Sequence, residues 1–159
     1  INLVEKLSGD NDPVLFQDMA LLKGPGGREK PWHQDAAYFD LPIDTIVIGV
    51  WIALDPATEE NGCLHVIPET HKNGPAEHFH IRDWQLCDTE VQTGLDVAVP
   101  LEPGGCLLWH GLLHHGSPRN NTKITRQALQ FHYRPKSCKN TSTEERMKYF
   151  GGSVRGATC

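Results

Sequence analysis

The sequence lacks any apolar run long enough to cross a membrane. Its most apolar segment, 45–54, has about half of the roughly 18 to 20 residues that a transmembrane helix needs, and it is rich in the β-branched residues typical of a strand. Residues 1–7 lack an initiating Met, a basic flank and a small-residue cleavage site, so they do not resemble a signal peptide. We interpret them as the end of a helix that begins outside this chain, and we expect an N-terminal portion of the parent fold to be missing. A membrane partner is not expected.

The sequence also lacks an excess of basic residues and any paired cysteine motif. The 15 Lys and Arg against 20 Asp and Glu give a net charge of -5, which argues against a nucleic-acid partner. The five cysteines are odd in number and form no Cys-x-x-Cys pair, so neither a disulfide framework nor a thiolate zinc site is indicated. An intracellular, cytoplasmic location is the resulting expectation.

What the sequence does contain is a series of short apolar or alternating runs, which are typical of strands. The runs are 14–22, 45–54, 63–67, 95–101, 106–115 and 127–134. Gly and Pro clusters at 24–27 and 103–105 predict turns between them. Thr141, with Glu144 three residues later, predicts the start of a helix over the following residues. We therefore predict a single, mainly β domain over 1–159, either a double-sheet jelly roll or a small barrel, with short flanking helices.

The first candidate site residues are in the segment Trp32 to Asp35. Side chains alternate along an extended chain, so His33 and Asp35 would project to one side and Gln34 to the other. An imidazole and a carboxylate would then converge on one point, as two ligands of a metal do. The competing interpretation is an ordinary surface pair, because nine His in 159 residues produce such spacings by chance.

The second candidate is the pair His114 and His115, at the end of the apolar run 106–115. One more imidazole would complete a set of two histidines and one carboxylate, which leaves coordination positions open and suits non-haem Fe(II). Neighbours on a strand face opposite ways, so only one of the two can be a ligand. Periodicity alone does not choose between them.

The third candidate is Arg126, which enters an apolar run. A buried guanidinium is costly unless it meets an anion, and its planar fork binds a carboxylate through two hydrogen bonds. A carboxylate co-substrate would meet that need. An edge-strand Arg that reaches water is the alternative.

Taken together, these segments resemble the phytanoyl-CoA dioxygenase family. Five blocks occur in the family's order and cover roughly 14–135: MALLK at 19–23, HQDAAYF at 33–39, VWIAL at 50–54, NGCLHVIPETHK at 61–72, and HGS at 115–117 followed by Arg126. The match of five blocks in order is far more specific than any one of them. The resemblance implies a double-stranded β-helix, the jelly roll of cupin-like proteins.

The resemblance also implies the roles of individual residues. Iron would be held by His33, Asp35 and His115, and Arg126 would bind the distal carboxylate of 2-oxoglutarate. Three further positions would line the co-substrate pocket: Met19, Gln34 and Trp51. For Met19 and Trp51 the alternative is plain core packing.

The reaction implied is a hydroxylation. Fe(II), 2-oxoglutarate and O2 would act on a C–H bond of a small organic or acyl substrate, releasing succinate and CO2, with ascorbate as an optional further cofactor. Asp35 favours hydroxylation, because related halogenating enzymes lack the carboxylate ligand. The substrate would be chosen by loops such as 40–44 and 73–93. A set of basic residues is also available to coenzyme A phosphates: Arg28, Lys30, Arg119, Lys123, Arg134 and Lys136.

Three other interpretations remain open at this stage. A cupin-type metal protein or isomerase could use the same-face pair His78 and His80. A non-catalytic relative could bind metal or 2-oxoglutarate without turnover. A zinc hydrolase is the least favoured, because no His-Glu-x-x-His segment is present. The sequence does not indicate an oligomeric state.

Overall fold

The computed structural model describes all 159 residues and is built mainly from antiparallel strands. The strands are β1 (Pro13–Lys23), β2 (Lys30–His33), β3 (Ile48–Ala53), β4 (Leu64–Val66), β5 (His78–His80), β6 (Trp84–Leu86), β7 (Val97–Val99), β8 (Cys106–His110), β9 (His115–Ser117) and β10 (Arg126–Pro135). The helices are α1 (Asn2–Ser8) and α2 (Thr143–Phe150). Neither helix has the length and apolar character required to span a bilayer.

Two four-stranded sheets pack face to face and form the jelly roll. The major sheet has the strand order β1-β10-β3-β8, and the minor sheet has the order β2-β9-β4-β7. The main apolar cluster joins Trp51 and Trp109 of the major sheet to Leu64 of the minor sheet, so the core lies between the two sheets. Strands β5 and β6 form a separate hairpin. The predicted mainly β jelly roll is confirmed.

The central strand β10 shows how the sequence pattern produces a two-faced sheet. It pairs antiparallel with β1 on one side and with β3 on the other. Along it, Arg126, Ala128, Gln130 and His132 are all buried, whereas the residues between them are more exposed. Because side chains alternate along a strand, these four residues point to the interior between the sheets.

The predicted strand 106–115 is wrong in its extent. The chain leaves the major sheet after His110, turns through Gly111 to Leu113, and enters the minor sheet as β9, which begins at His115. The Gly111 amide donates to the carbonyl of Val47, and the turn is closed by the Leu113 amide, which donates to the carbonyl of His110. His115 therefore opens a strand instead of closing one.

Two other local predictions need correction. Helix α2 forms, but its N-cap is Ser142 and not Thr141, because the Ser142 hydroxyl accepts the hydrogen bond from the Glu145 amide. Cys87 and Cys159 form a disulfide across a sequence separation of 72 residues, although no cysteine motif indicated one. Cys63, Cys106 and Cys138 are free thiols.

Candidate metal centre and adjoining cavity

Three side chains of the types that bind metals meet at the inner side of the minor sheet. Strand β2 pairs antiparallel with β9 so that His33 lies directly opposite His115. Asp35 follows β2 and opens a short 3-10 turn that ends at Tyr38. The ligand atoms of His33, Asp35 and His115 all lie within 4.8 Å of one another, and the three residues are buried. These are the three residues that the sequence analysis brought together.

Backbone carbonyls fix the orientation of both imidazoles. Nδ1 of His33 lies 2.8 Å from the carbonyl of Pro31, and Nδ1 of His115 lies 3.0 Å from the carbonyl of Leu113. A carbonyl only accepts, so each Nδ1 must carry a hydrogen, and Nε2 is the nitrogen of each ring that remains to bind a metal. These Nε2 atoms face Oδ1 of Asp35 at 3.4 Å and 3.5 Å. The two Nε2 atoms and Oδ1 thus face one point, as the ligand atoms of a single metal ion would.

The three groups also shift one another's pKa values. Burial works to raise the pKa of Asp35, but the charge of His115 and hydrogen bonds to neighbouring histidines hold it well below its usual range. Burial lowers the pKa of His33 to about 4, so this imidazole is neutral. Burial also works to lower the pKa of His115, but the charge of Asp35 outweighs it and raises that pKa. The donor set, two imidazoles and one carboxylate, fits divalent iron.

A cavity of about 360 Å³ adjoins these three residues and reaches the major sheet. Met19 and Trp51, the two positions that the resemblance assigns to a co-substrate pocket, line this cavity together with Leu64. Arg126 also lines it, 3% exposed, with its guanidinium carbon 5.1 Å from the centre of the Trp51 ring. Burial lowers the pKa of Arg126, but an arginine remains charged.

Arg126 is a buried cation without a protein counter-ion. No carboxylate forms a salt bridge with it, and its Nε lacks a hydrogen-bond partner. An unpaired buried charge is costly, so a guanidinium in this position calls for an anion in the cavity. The edge-strand alternative does not hold, because β10 lies inside the major sheet.

Gln34 does not line this cavity. The resemblance implied that it would line the co-substrate pocket, so that role is corrected. Its Nε2 donates to the carbonyls of Gly74 and Leu112, and its Oε1 accepts from the Ala76 amide. The side chain is fully buried and its hydrogen-bonding groups are engaged by backbone. Gln34 projects away from His33 and Asp35, as strand alternation predicts, and it holds loops together.

The other candidate histidines do not join the cluster. His114 lies beside a separate surface depression with Ala76 and Phe79. His78 is fully buried, with Nδ1 against the carbonyl of Ala76 and Nε2 accepting from the Gln34 amide. Because both of its nitrogens are engaged, the pair His78 and His80 does not form a second metal site.

The proposed basic cluster is likewise not one surface. Arg28 and Lys30 both contact Asp83, whereas Lys136 pairs with Asp12 at the other end of the fold. Arg134 is held by the carbonyl of Cys138 and by Asn140. These cations do not converge on one phosphate-binding patch.

Sequence reasoning missed four polar residues of the site. Ser117 and Lys23 line the cavity, and His132 and Trp109 contact Asp35 directly. Counting by twos from Arg126 along the predicted strand would have placed His132 on the same face. Nothing in the local sequence indicates that Trp109 reaches Asp35 across the sandwich.

Comparisons with known proteins agree with the geometry. The family model described as "Phytanoyl-CoA dioxygenase (PhyH)" matches residues 2–128. "Phytanoyl-CoA dioxygenase domain-containing protein 1" of Danio rerio is 36% identical over 141 residues, which are 82% of this chain and 48% of that protein. "Phytanoyl-CoA dioxygenase, peroxisomal" of Rattus norvegicus is 30% identical over 156 residues, 91% of this chain and 46% of that protein. The chain thus spans about half the length of the curated relatives that it matches.

A solved structure with the same fold contains bound 2-oxoglutarate. EvdO2 from Micromonospora carbonacea var. aurantiaca complexed with 2-oxoglutarate has a TM-score of 0.75 and 30% identity, covering 87% of this chain and 58% of that one. The family match extends over both β2 and β9, the two strands that carry the candidate metal ligands. This chain belongs to the phytanoyl-CoA dioxygenase family.

Proposed function

We propose that this chain carries an Fe(II)- and 2-oxoglutarate-dependent oxygenase centre, which hydroxylates a C–H bond of a small organic or acyl substrate with release of succinate and CO2. The observation that carries the proposal is a pairing of two sites in one cavity. A cation site made of His33, Asp35 and His115 faces the same space as the uncompensated cation Arg126. A metal ion and a dicarboxylate together satisfy both.

The three clustered residues would hold the iron, and the iron would supply activation of O2 when bound. Their own contribution is orientation: the carbonyls of Pro31 and Leu113 hold the two imidazoles with Nε2 turned inward. A set of one carboxylate and two imidazoles occupies one side of a metal and leaves the other side open for small ligands.

Arg126 and Ser117 would bind the remote carboxylate of 2-oxoglutarate. The Ser117 hydroxyl oxygen accepts from Nζ of Lys23 at 2.7 Å, so its own hydrogen is free to be donated into the cavity. Burial, followed by the charge of Arg126, lowers the pKa of Lys23 to about 8. The walls around this end are apolar, formed by Met19, Trp51 and Leu64, which strengthens a charge-assisted hydrogen bond there.

The substrate would enter past Tyr38 and Lys30, which line the cavity on the side of the metal site. The Tyr38 hydroxyl donates to the carbonyl of Trp84 and accepts from Lys30, and its ring packs edge-on against His33. Lys30 is in turn paired with Asp83. A fixed aromatic wall suits an organic substrate.

The test is succinate formation by the full-length protein with Fe(II), 2-oxoglutarate and O2. Succinate should form with the wild type, and Asp35→Ala should remove it together with metal binding. Ascorbate is added in a parallel reaction to find whether it sustains turnover. A protein that binds metal and 2-oxoglutarate tightly but yields no succinate, with or without candidate acyl substrates, would support the non-catalytic alternative and refute the proposed oxygenase.

A further inference from the structure

The two oxygens of the Asp35 carboxylate have different surroundings. Oδ1 faces the Nε2 atoms of His33 and His115. Oδ2 is turned to the major sheet, where Nε1 of Trp109 donates to it at 2.9 Å and Nε2 of His132 lies at the same distance of 2.9 Å. One oxygen is therefore available to a metal, and the other already has two protein contacts.

The contact between Asp35 and His132 fixes which nitrogen of the His132 ring carries the hydrogen. Oδ2 of Asp35 already accepts from the indole of Trp109, and a carboxylate oxygen only accepts, so the hydrogen between the two atoms is carried by Nε2 of His132. Nε2 also lies 3.3 Å from the side-chain amide nitrogen of Gln130. This contact is longer than the one to Asp35, and Gln130 carries no charge. His132 thus donates to Asp35, as Trp109 does.

Both donors are held rigidly. Trp109 is 5% exposed and lies over Gly49 of the neighbouring strand, where a Cβ would come within 2.5 Å of the indole carbon Cε2. His132 is 1% exposed and packs edge-on against Phe39, with the ring centres 5.0 Å apart. Neither ring can turn away from Asp35 without displacing buried neighbours.

We propose that Trp109 and His132 are positioning residues that keep Asp35 as a one-oxygen metal ligand. The inference rests on the metal centre of the proposed function. With two hydrogen bonds on Oδ2, the carboxylate would present only Oδ1 to a bound metal, and the side of the metal used by the co-substrate would not be blocked by Oδ2. The major sheet, through β8 and β10, thereby sets the geometry of a centre whose ligands belong to β2, β9 and the turn after β2.

The experiment replaces each donor while keeping the fold, and its probe is Co(II) in place of iron. His132→Gln places an amide nitrogen near the position of Nε2, where it can still donate to Oδ2 of Asp35. His132→Asn places its amide nitrogen near Nδ1, too far away to make that hydrogen bond. Trp109→Phe removes the other donor and keeps an aromatic ring. His110→Gln is the matched control, because His110 is the neighbour of Trp109 on β8 and does not contact Asp35.

Co(II) affinity by titration calorimetry and the visible Co(II) spectrum are the readouts. We expect His132→Asn and Trp109→Phe to bind Co(II) about 10- to 100-fold more weakly with an altered spectrum, as is typical when a partner of a metal ligand is lost. His132→Gln should stay within about threefold of the wild type on the same scale, and His110→Gln should match the wild type.

Two outcomes overturn the inference. If His132→Asn and Trp109→Phe lower the melting temperature but leave Co(II) affinity and spectrum unchanged, the two residues only stabilise the fold. A wild type that fails to bind Co(II) removes both this inference and the metal centre. If the variants behave as expected but no succinate forms, the positioning role stands and only the proposed oxygenase activity is lost.

Discussion

His114 and His115 are neighbours with opposite surroundings. Nε2 of His115 faces Asp35, whereas His114 lies beside another surface depression, its backbone amide held by the Thr70 hydroxyl and its Nε2 buried without a partner. The resemblance chose His115, and the structure places that residue in the cluster, although the strand periodicity alone left both open. Only a residue that begins β9 opposite His33 can complete the three-residue set.

Replacing each of these two histidines with alanine tests which one is the metal ligand. We expect His115→Ala to weaken Fe(II) or Co(II) binding by more than about 100-fold, beyond the range found when an outer partner of a ligand is lost. His114→Ala, the matched control, should retain wild-type affinity because no ligand is removed. Calorimetric titration under anaerobic conditions measures both, and the reverse pattern would assign the ligand to His114.

Arg126 is the residue on which the identity of the co-substrate depends. Arg126→Lys keeps the charge but loses the planar fork, so we expect 2-oxoglutarate affinity to fall about 10- to 150-fold, the equivalent of roughly 1.5 to 3 kcal/mol for a charge-assisted contact. Co(II) affinity should be unchanged, since no metal ligand is lost. An Arg126→Ala variant with unaltered 2-oxoglutarate affinity would exclude this residue as the carboxylate partner.

Gln34 shows the limit of carrying a role from a family to a residue. Period-two alternation placed it opposite His33 and Asp35, and the structure agrees, whereas the resemblance placed it in the pocket. Its three contacts are all to backbone groups more than 35 residues away in sequence. Such long-range contacts leave no local sequence signal, so the physical pattern was the better guide at this position.

At the scale of elements, the long strands were predictable and the short ones were not. The runs 14–22 and 127–134 correspond closely to β1 and β10, because each alternates over many residues. The break between β8 and β9 was missed because the turn contains the apolar pair Leu112 and Leu113, which continues the strand-like pattern. The bond from Gly111 to Val47, which decides the turn, joins residues 64 positions apart.

Helix α2 offers a local test of the corrected cap. Ser142→Ala removes the acceptor for the Glu145 amide, so we expect the free energy of unfolding to fall by about 1 kcal/mol, the usual effect of losing an N-cap. Thr141→Ala is the control, because the Thr141 side chain is not the cap acceptor. Urea denaturation compares the two, and an equal loss in both variants would contradict the assignment of the cap.

At the scale of the molecule, the site joins the two sheets. The candidate metal ligands come from the minor sheet and its adjoining turn, whereas Trp109 and His132, which contact Asp35, and the buried Arg126 come from the major sheet. The resemblance pointed to His33, Asp35, His115 and Arg126 because each lies in, or follows, a short recognisable block. The contacts of Asp35 with Trp109 and His132 span 74 and 97 residues, so they depend on how the sheets pack.

This arrangement predicts a stepwise stabilisation of the whole fold. A metal bound only by the folded state at about 100 times its dissociation constant adds about 2.7 kcal/mol, which for a domain of this size raises the melting temperature by roughly 5 to 11 °C. Because Arg126 has no protein counter-ion and the proposed co-substrate would supply one, 2-oxoglutarate should add a second rise when metal is present.

Differential scanning fluorimetry with three variants separates the two steps. Asp35→Ala should lose the metal-induced rise. Arg126→Ala should keep the metal-induced rise but lose the one caused by 2-oxoglutarate. His114→Ala should keep both, since it touches neither group. A rise with 2-oxoglutarate that persists in Arg126→Ala would show that the carboxylate binds elsewhere. A metal-induced rise that persists in Asp35→Ala would show that the ion is held outside the cluster of His33, Asp35 and His115, and the centre between the sheets would then have to be abandoned.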